Sequence, residues 1–121
     1  MSMLDSIAAA RVSGPEPVAE GVARFEYNFP ATDEVFTGHF PDRPILPGIF
    51  QIEIVRQAAE AVLNRALALQ EIVKTKFQRP ILPGEVLKLE LKITAVEAGQ
   101  SVRGTFTCGG QPAGEVLLKL S

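Results

Sequence analysis

The chain has 121 residues, of which 46% are hydrophobic and 21% charged, and its formal net charge is −2. This length suits one domain with a real core, and the composition is far from that of a disordered segment. A near-neutral charge without a basic cluster argues against a nucleic-acid partner. One cysteine excludes an internal disulfide, and with one histidine it leaves no zinc ligand set, so we predict neither metal nor cofactor. We recognise no signal peptide and no membrane span, and predict a cytoplasmic protein.

The first half of the chain is predicted to contain one strand, an irregular connection and a long helix. Residues 1–16 form a turn-rich lead-in, and residues 18–28 alternate as a half-buried strand does. Residues 30–47 carry four prolines and no helical period, which predicts an irregular connection. Residues 49–69 are apolar around most of a helical circumference, which predicts a wrapped helix. Its main polar stripe lies on one face and consists of Glu53, Gln57, Glu60 and Asn64.

The second half changes to a period of two, which is typical of strands. The predicted strands are residues 73–78, 85–96, 101–109 and 113–120. One strand, a long apolar helix and a run of antiparallel strands predict an α+β fold. We therefore predict a single domain over residues 1–121, in which an antiparallel sheet wraps around the long central helix.

The candidate chemistry lies around His39 and at the start of the long helix. Gly48 opens the helix, so its backbone N–H is free to bind a ligand oxygen. Glu53 lies in mostly apolar surroundings, where a carboxyl is expected to hold a proton near neutral pH, and Gln57 is expected to orient it. Together these residues offer a base in His39, a donor that polarises a carbonyl in the Gly48 N–H, and an acid in Glu53. Such a set suits proton abstraction beside a carbonyl, followed by loss of a neighbouring hydroxyl. The alternative is a structural histidine and a solvated polar stripe.

Other side chains have weaker claims. Cys108 lies in a predicted strand and is interpreted as a small core residue. The acids Asp33, Glu34 and Asp42 are too few for a hard-cation site and are interpreted as solvated loop residues. Asp42 and Arg43 are interpreted as a surface pair.

Two stretches resemble a known family. Gly38-His39-Phe40-Pro41, Pro44-Ile45-Leu46-Pro47-Gly48, and Glu53 with Gln57 resemble the motif that leads into the helix of FabZ-type 3-hydroxyacyl-acyl-carrier-protein dehydratases. The resemblance resumes at residues 76–84, and the chain looks like a short member. It implies a hot-dog fold, paired into a homodimer with active sites at the subunit interface, and it leaves a trimer of dimers open.

The resemblance also implies roles for individual residues. In that family the residue matching His39 removes the α-proton, and the acid matching Glu53, from the other subunit, protonates or positions the β-hydroxyl. The N–H of Gly48 would bind the thioester carbonyl, and Phe40 and Phe77 would line an apolar tunnel for the acyl chain.

The implied activity is dehydration of a 3-hydroxyacyl thioester, carried on the phosphopantetheine arm of acyl carrier protein, to the trans-2-enoyl thioester. Fatty-acid and polyketide or polyene biosynthesis both suit this reaction. A hot-dog acyl thioesterase and a catalytically inactive acyl-binding subunit remain as alternatives.

Overall fold

The computed structural model describes residues 2–36 and 45–121. The helices are α1 (Met3–Ala10) and α2 (Gly48–Leu63), with a short 3-10 turn at Glu34–Phe36. The strands are β1 (Arg11–Ala19), β2 (Val22–Tyr27), β3 (Leu69–Phe77), β4 (Leu87–Val96), β5 (Gly99–Cys108) and β6 (Gln111–Leu120). Neither helix of the described part of the chain is long and apolar enough to cross a membrane.

The strands form one antiparallel sheet in the order β1-β2-β4-β5-β6-β3. Strand β4 shows why it forms: Leu87, Leu89 and Leu91 are buried, whereas the residues between them are exposed. Helix α2 crosses the sheet and adds Ile54 and Val55 to the same core, both fully buried. The predicted α+β arrangement of a sheet around a long helix is confirmed.

The N-terminal part differs from the prediction of a lead-in followed by one strand at residues 18–28. Ser2 and Asp5 form a reciprocal capping box that starts helix α1, so the lead-in is partly helical. The predicted strand is in fact a hairpin, in which β1 and β2 meet at a turn containing Gly21, whose φ is +73°. Positive φ is easy for glycine, and this turn divides the alternating pattern into two strands.

Helix α2 also ends earlier than the predicted residue 69. Asn64 adopts the left-handed conformation, with φ of 53° and ψ of 44°, and its backbone N–H donates to the carbonyl of Glu60. This is a common way to end a helix, and asparagine tolerates it better than most residues. The chain therefore leaves the helix early enough for β3 to begin at Leu69 rather than at residue 73.

Strand β3 lies at an edge of the sheet and pairs only with β6. All nine of its residues are exposed. Four of them are large and apolar: Leu69, Ile72, Val73 and Phe77. An exposed apolar edge strand has unpaired backbone groups along its outer side and is a surface on which another strand can add.

Candidate functional site

The N-terminus of α2 is built at the predicted position. Gly48 is the first helical residue and Pro47 precedes it in extended conformation, with φ of −63° and ψ of 148°. The backbone N–H of Leu46 donates to the carbonyl of Ile81 at 2.8 Å, which ties this approach to the segment before β4. No side-chain hydrogen bond caps this end of the helix. Its first N–H groups and the helix dipole therefore favour a ligand oxygen.

A cavity of about 330 Å³ lies at this helix end, and Gly48, Gln51, Phe77 and Arg79 contribute to its wall. The Phe77 ring covers Gly48 so closely that a Cβ on Gly48 would lie 2.7 Å from one ring carbon and 2.8 Å from the next. Glycine is required there to let the ring and the start of the helix meet. Gly48 and Phe77, both proposed from sequence as substrate-binding residues, thus lie in contact beside one cavity.

Gln51 is a polar side chain of this wall that the sequence interpretation missed. It is only 3% exposed, and its Oε1 has no hydrogen-bond partner among the described residues. Gly114 of β6 leaves room for it, since a Cβ on Gly114 would lie 2.7 Å from that oxygen. Buried polar groups are normally hydrogen-bonded, so an unpaired amide oxygen beside a cavity is notable.

Glu53 has different surroundings from the apolar ones expected. The Nε of Arg56 donates to both of its carboxylate oxygens, at 3.2 and 3.0 Å, and Nη2 donates to Oε2 at 2.9 Å. The Nη1 of Arg56 donates to Glu60 Oε2 at 2.9 Å and to the Leu67 carbonyl at 3.0 Å. These hydrogen bonds, first of all those with Glu53, raise the pKa of Arg56 although burial acts in the opposite direction. The sequence carried a signal for this cluster, because charges three and four residues apart meet on a helix.

Glu53 and the cavity lie on different sides of α2. Successive helical residues are rotated by about 100°, so Glu53 points roughly 200° away from Gln51. Glu53 does not contribute to the cavity wall formed by Gly48 and Gln51. Within one chain, the structure therefore does not bring Glu53 and Gly48 to the same cavity.

The remaining predicted residues are placed as follows. The Nε2 of Gln57 donates to the carbonyl of Leu4 in α1 at 3.2 Å. Its proposed part in orienting the Glu53 carboxyl stays a prediction. His39 and Phe40 lie outside the described residues, and so does Asp42.

Comparison with known proteins shows consistent similarities. The ApeI-like family, described as ApeI dehydratase, matches residues 16–113. The 3-hydroxyacyl-[acyl-carrier-protein] dehydratase FabZ of Clostridium acetobutylicum is 33% identical over 113 residues, covering 87% of this chain and 79% of that protein. The FabZ of Clostridium kluyveri is 35% identical over 113 residues, covering 87% and 77%.

Two solved structures support the architecture. A chain of the dehydratase heterocomplex ApeI:P from Xenorhabdus doucetiae superposes with a TM-score of 0.79 and 28% identity, covering 91% of this chain and 95% of that one. The PaaI protein of the Escherichia coli phenylacetic acid degradation operon superposes with a TM-score of 0.68 at 16% identity, covering 97% and 88%, and shares the fold alone. The predicted hot-dog fold is confirmed.

Proposed function

Because the chain belongs to the ApeI-like family of FabZ-type hot-dog dehydratases, we propose that it removes water from a 3-hydroxyacyl thioester carried by acyl carrier protein, in the cytoplasm. The product is the trans-2-enoyl thioester. The observation that carries the proposal is the cavity at the N-terminus of α2, where Gly48 presents the helix end beneath Phe77. A growing enolate charge needs such oriented donors.

The roles assigned to the residues follow from this chemistry. The Gly48 N–H and the helix dipole stabilise negative charge on the thioester oxygen, which makes the α-proton more acidic. His39 is the base that takes this proton, and Glu53 forms a hydrogen bond with the 3-hydroxyl group. The apolar ring of Phe77 supports the acyl chain or the thioester arm at the cavity mouth.

We propose that two copies of the chain complete each site, because Glu53 faces away from the cavity of its own chain. The exposed edge strand β3 supplies the surface for this pairing. If two β3 strands meet antiparallel about an axis between Ile72 and Val73, Glu71 of each copy lies opposite Lys74 of the other. These opposite charges make the strand complementary to itself.

The reaction is tested with purified protein and 3-hydroxybutyryl thioesters of acyl carrier protein and of N-acetylcysteamine. Dehydration forms the conjugated enoyl thioester, which is followed by its ultraviolet absorbance, and it leaves the thioester bond intact. Release of free thiol instead would identify a thioesterase. Binding without conversion would identify an acyl-binding subunit.

Two variants test the assigned residues. We expect His39→Ala and Glu53→Gln each to lower kcat by about 10²- to 10⁴-fold, the range typical for loss of a general acid or base. Wild-type turnover in either folded variant would overturn the assignment.

Mixing the two inactive variants tests whether the site is shared. Random exchange makes half of the dimers mixed, and each mixed dimer regains one intact site, so about one quarter of wild-type activity should return. No recovery, with exchange of subunits demonstrated independently, would place both residues in one chain.

A further inference from the structure

Arg56 is held in place by several charged and backbone groups at once. Arginine has five N–H donors, and four of them are engaged here, by Glu53, Glu60 and the Leu67 carbonyl. Glu60 Oε2 also accepts the backbone N–H of Leu67 at 2.9 Å. The arginine therefore joins the Glu53 carboxylate to the segment that leads into β3.

This pairing fixes the direction of the Glu53 side chain. A guanidinium that binds a carboxylate through two nitrogens imposes a planar geometry that a single contact does not. The side chains of Arg56 and Glu53 are only 16% and 17% exposed, so water screens this pair less than it screens surface pairs. A carboxylate held in such a fork is oriented to accept a further hydrogen bond from a ligand donor.

The groups that contact the Arg56–Glu53 pair come from α2 itself and from the connection that follows it. Within α2, Glu60 is the second carboxylate on Arg56, at 2.9 Å. From the connection packed against the helix, the groups that face the cluster are the backbone N–H and carbonyl of Leu67. Among the described residues, Arg56 thus donates the hydrogen bonds to the Glu53 carboxylate.

We propose that Arg56 is a positioning residue that holds the Glu53 carboxylate as a hydrogen-bond acceptor for the substrate's 3-hydroxyl group, so that the proton leaving with water comes from His39. The inference rests on the proposed dehydration. In the balanced step, His39 takes the α-proton and the C–H electron pair forms the double bond. The C–O bond breaks, and the imidazolium returns its proton to the departing hydroxyl.

Three substitutions separate positioning from mere support of the fold. Arg56→Met removes the fork, Arg56→Lys keeps the charge but loses the planar pair, and Glu60→Gln is the matched control that leaves the contact with Glu53 in place. We expect kcat for dehydration to fall about 10- to 100-fold in Arg56→Met and less in Arg56→Lys, with KM rising by no more than about tenfold as the contact with the 3-hydroxyl group weakens. Glu60→Gln should stay within about twofold of wild type.

Exchange of the α-protons with deuterated water provides the readout that a structural role would not give. With butyryl thioester, which has no hydroxyl group, exchange needs His39 and the end of α2 but neither Glu53 nor Arg56. We expect Arg56→Met to exchange at the wild-type rate while its dehydration is impaired. Parallel loss of both reactions, or equal losses of kcat in Glu60→Gln and Arg56→Met, would overturn the proposal. A wild-type protein that neither dehydrates nor exchanges would instead refute the proposed function.

A pair of inert ligands tests whether Glu53 accepts or donates. The 2,2-dimethyl-3-hydroxybutyryl and 2,2-dimethyl-3-oxobutyryl thioesters lack an α-proton, so neither can eliminate water. An accepting carboxylate favours the hydroxyl ligand, and we expect it to bind about tenfold tighter, a preference that Arg56→Met removes. Equal binding, or tighter binding of the oxo ligand by wild type, would overturn the proposed accepting role of Glu53.

Discussion

Substituting Gly104 by alanine should loosen the contact between α2 and the sheet. Gly104 is buried in β5, directly beneath the helix, between its strand partners Leu91 and Val116. A Cβ there would lie 2.4 Å from Cγ2 of Val55 and 3.1 Å from Cδ1 of Leu89. Carbon atoms pack at about 3.5 to 4 Å, so the nearer group must retreat by more than about 1 Å.

Val55 cannot give way cheaply. It is fully buried, and a β-branched side chain in a helix has essentially one favourable χ1 rotamer. Overpacking of this kind lowers the free energy of unfolding by about 1–3 kcal/mol. Alanine has less conformational freedom than glycine in the unfolded chain, which offsets about 0.5–1 kcal/mol of this loss. We expect a net loss of about 1–2 kcal/mol in the free energy of unfolding, or roughly 5–10 °C in Tm for a chain of this size.

Urea unfolding followed by far-UV circular dichroism measures this loss, at one fixed protein concentration because association affects stability. The control is Val55→Ala, which removes the colliding methyl groups and alone costs about 1.6 kcal/mol or more. The loss of unfolding free energy in the double variant should be smaller than the sum of the two single losses by at least about 1 kcal/mol. A wild-type midpoint for Gly104→Ala, or strictly additive costs, would refute this account of the helix-sheet contact.

Gly48→Ala should change the free energy of unfolding by less than about 1 kcal/mol, because the half-exposed Phe77 ring can rotate away from the new methyl group. The same variant should lower kcat/KM for the 3-hydroxyacyl thioester about tenfold, and adding Phe77→Leu should restore part of the lost kcat/KM. Although burial acts in the opposite direction, a backbone N–H and Arg79 lower the pKa of Glu85. The stability that Glu85 adds should therefore be complete above its ordinary pKa of 4.5 and be lost as the pH falls through the lowered value. In urea titrations, the difference in free energy of unfolding between wild type and Glu85→Gln should narrow below pH 4.5. A difference that stays constant with pH would contradict this expectation. Burial raises the pKa of the Cys108 thiol, so a thiol reagent at pH 8 should react only as fast as the protein unfolds in urea, and immediate labelling of the native protein would contradict its burial.

The sequence predicts an element well where one face of that element is buried and the other is exposed, because burial produces the alternating pattern. Strand β4 alternates cleanly because one face packs on α2, and its predicted and observed ends differ by only two residues at the start. Strand β3 has no buried face in the single chain, so its pattern could not mark where it begins. Strand β1 carries Pro15 and Pro17, which argue against a strand except at an edge, and it is an edge strand.

The candidate site was predictable where the backbone alone determines it. The start of α2 at Gly48 followed from the preceding proline and the onset of the apolar period. A place for Phe77 beside the substrate was implied only by the family resemblance, and its contact with Gly48 was not predicted. The surroundings of Glu53 were not predicted, because the helix was judged by its apolar residues, whereas Arg56, three residues on, pairs with the carboxylate. Gln51 gave no signal, because its isolation depends on how β6 packs against the helix.

The exposure of β3 on all nine residues has a consequence for how this protein can diversify. Positions inside the sheet are constrained by the helix they cover, so most substitutions there reduce stability. Apart from Phe77, which packs on Gly48, positions along this margin carry no such constraint, and a mutation there alters which surface the strand accepts while leaving the folded monomer intact. Relatives that have come to prefer a different subunit would therefore differ from this chain first in the other eight residues of β3.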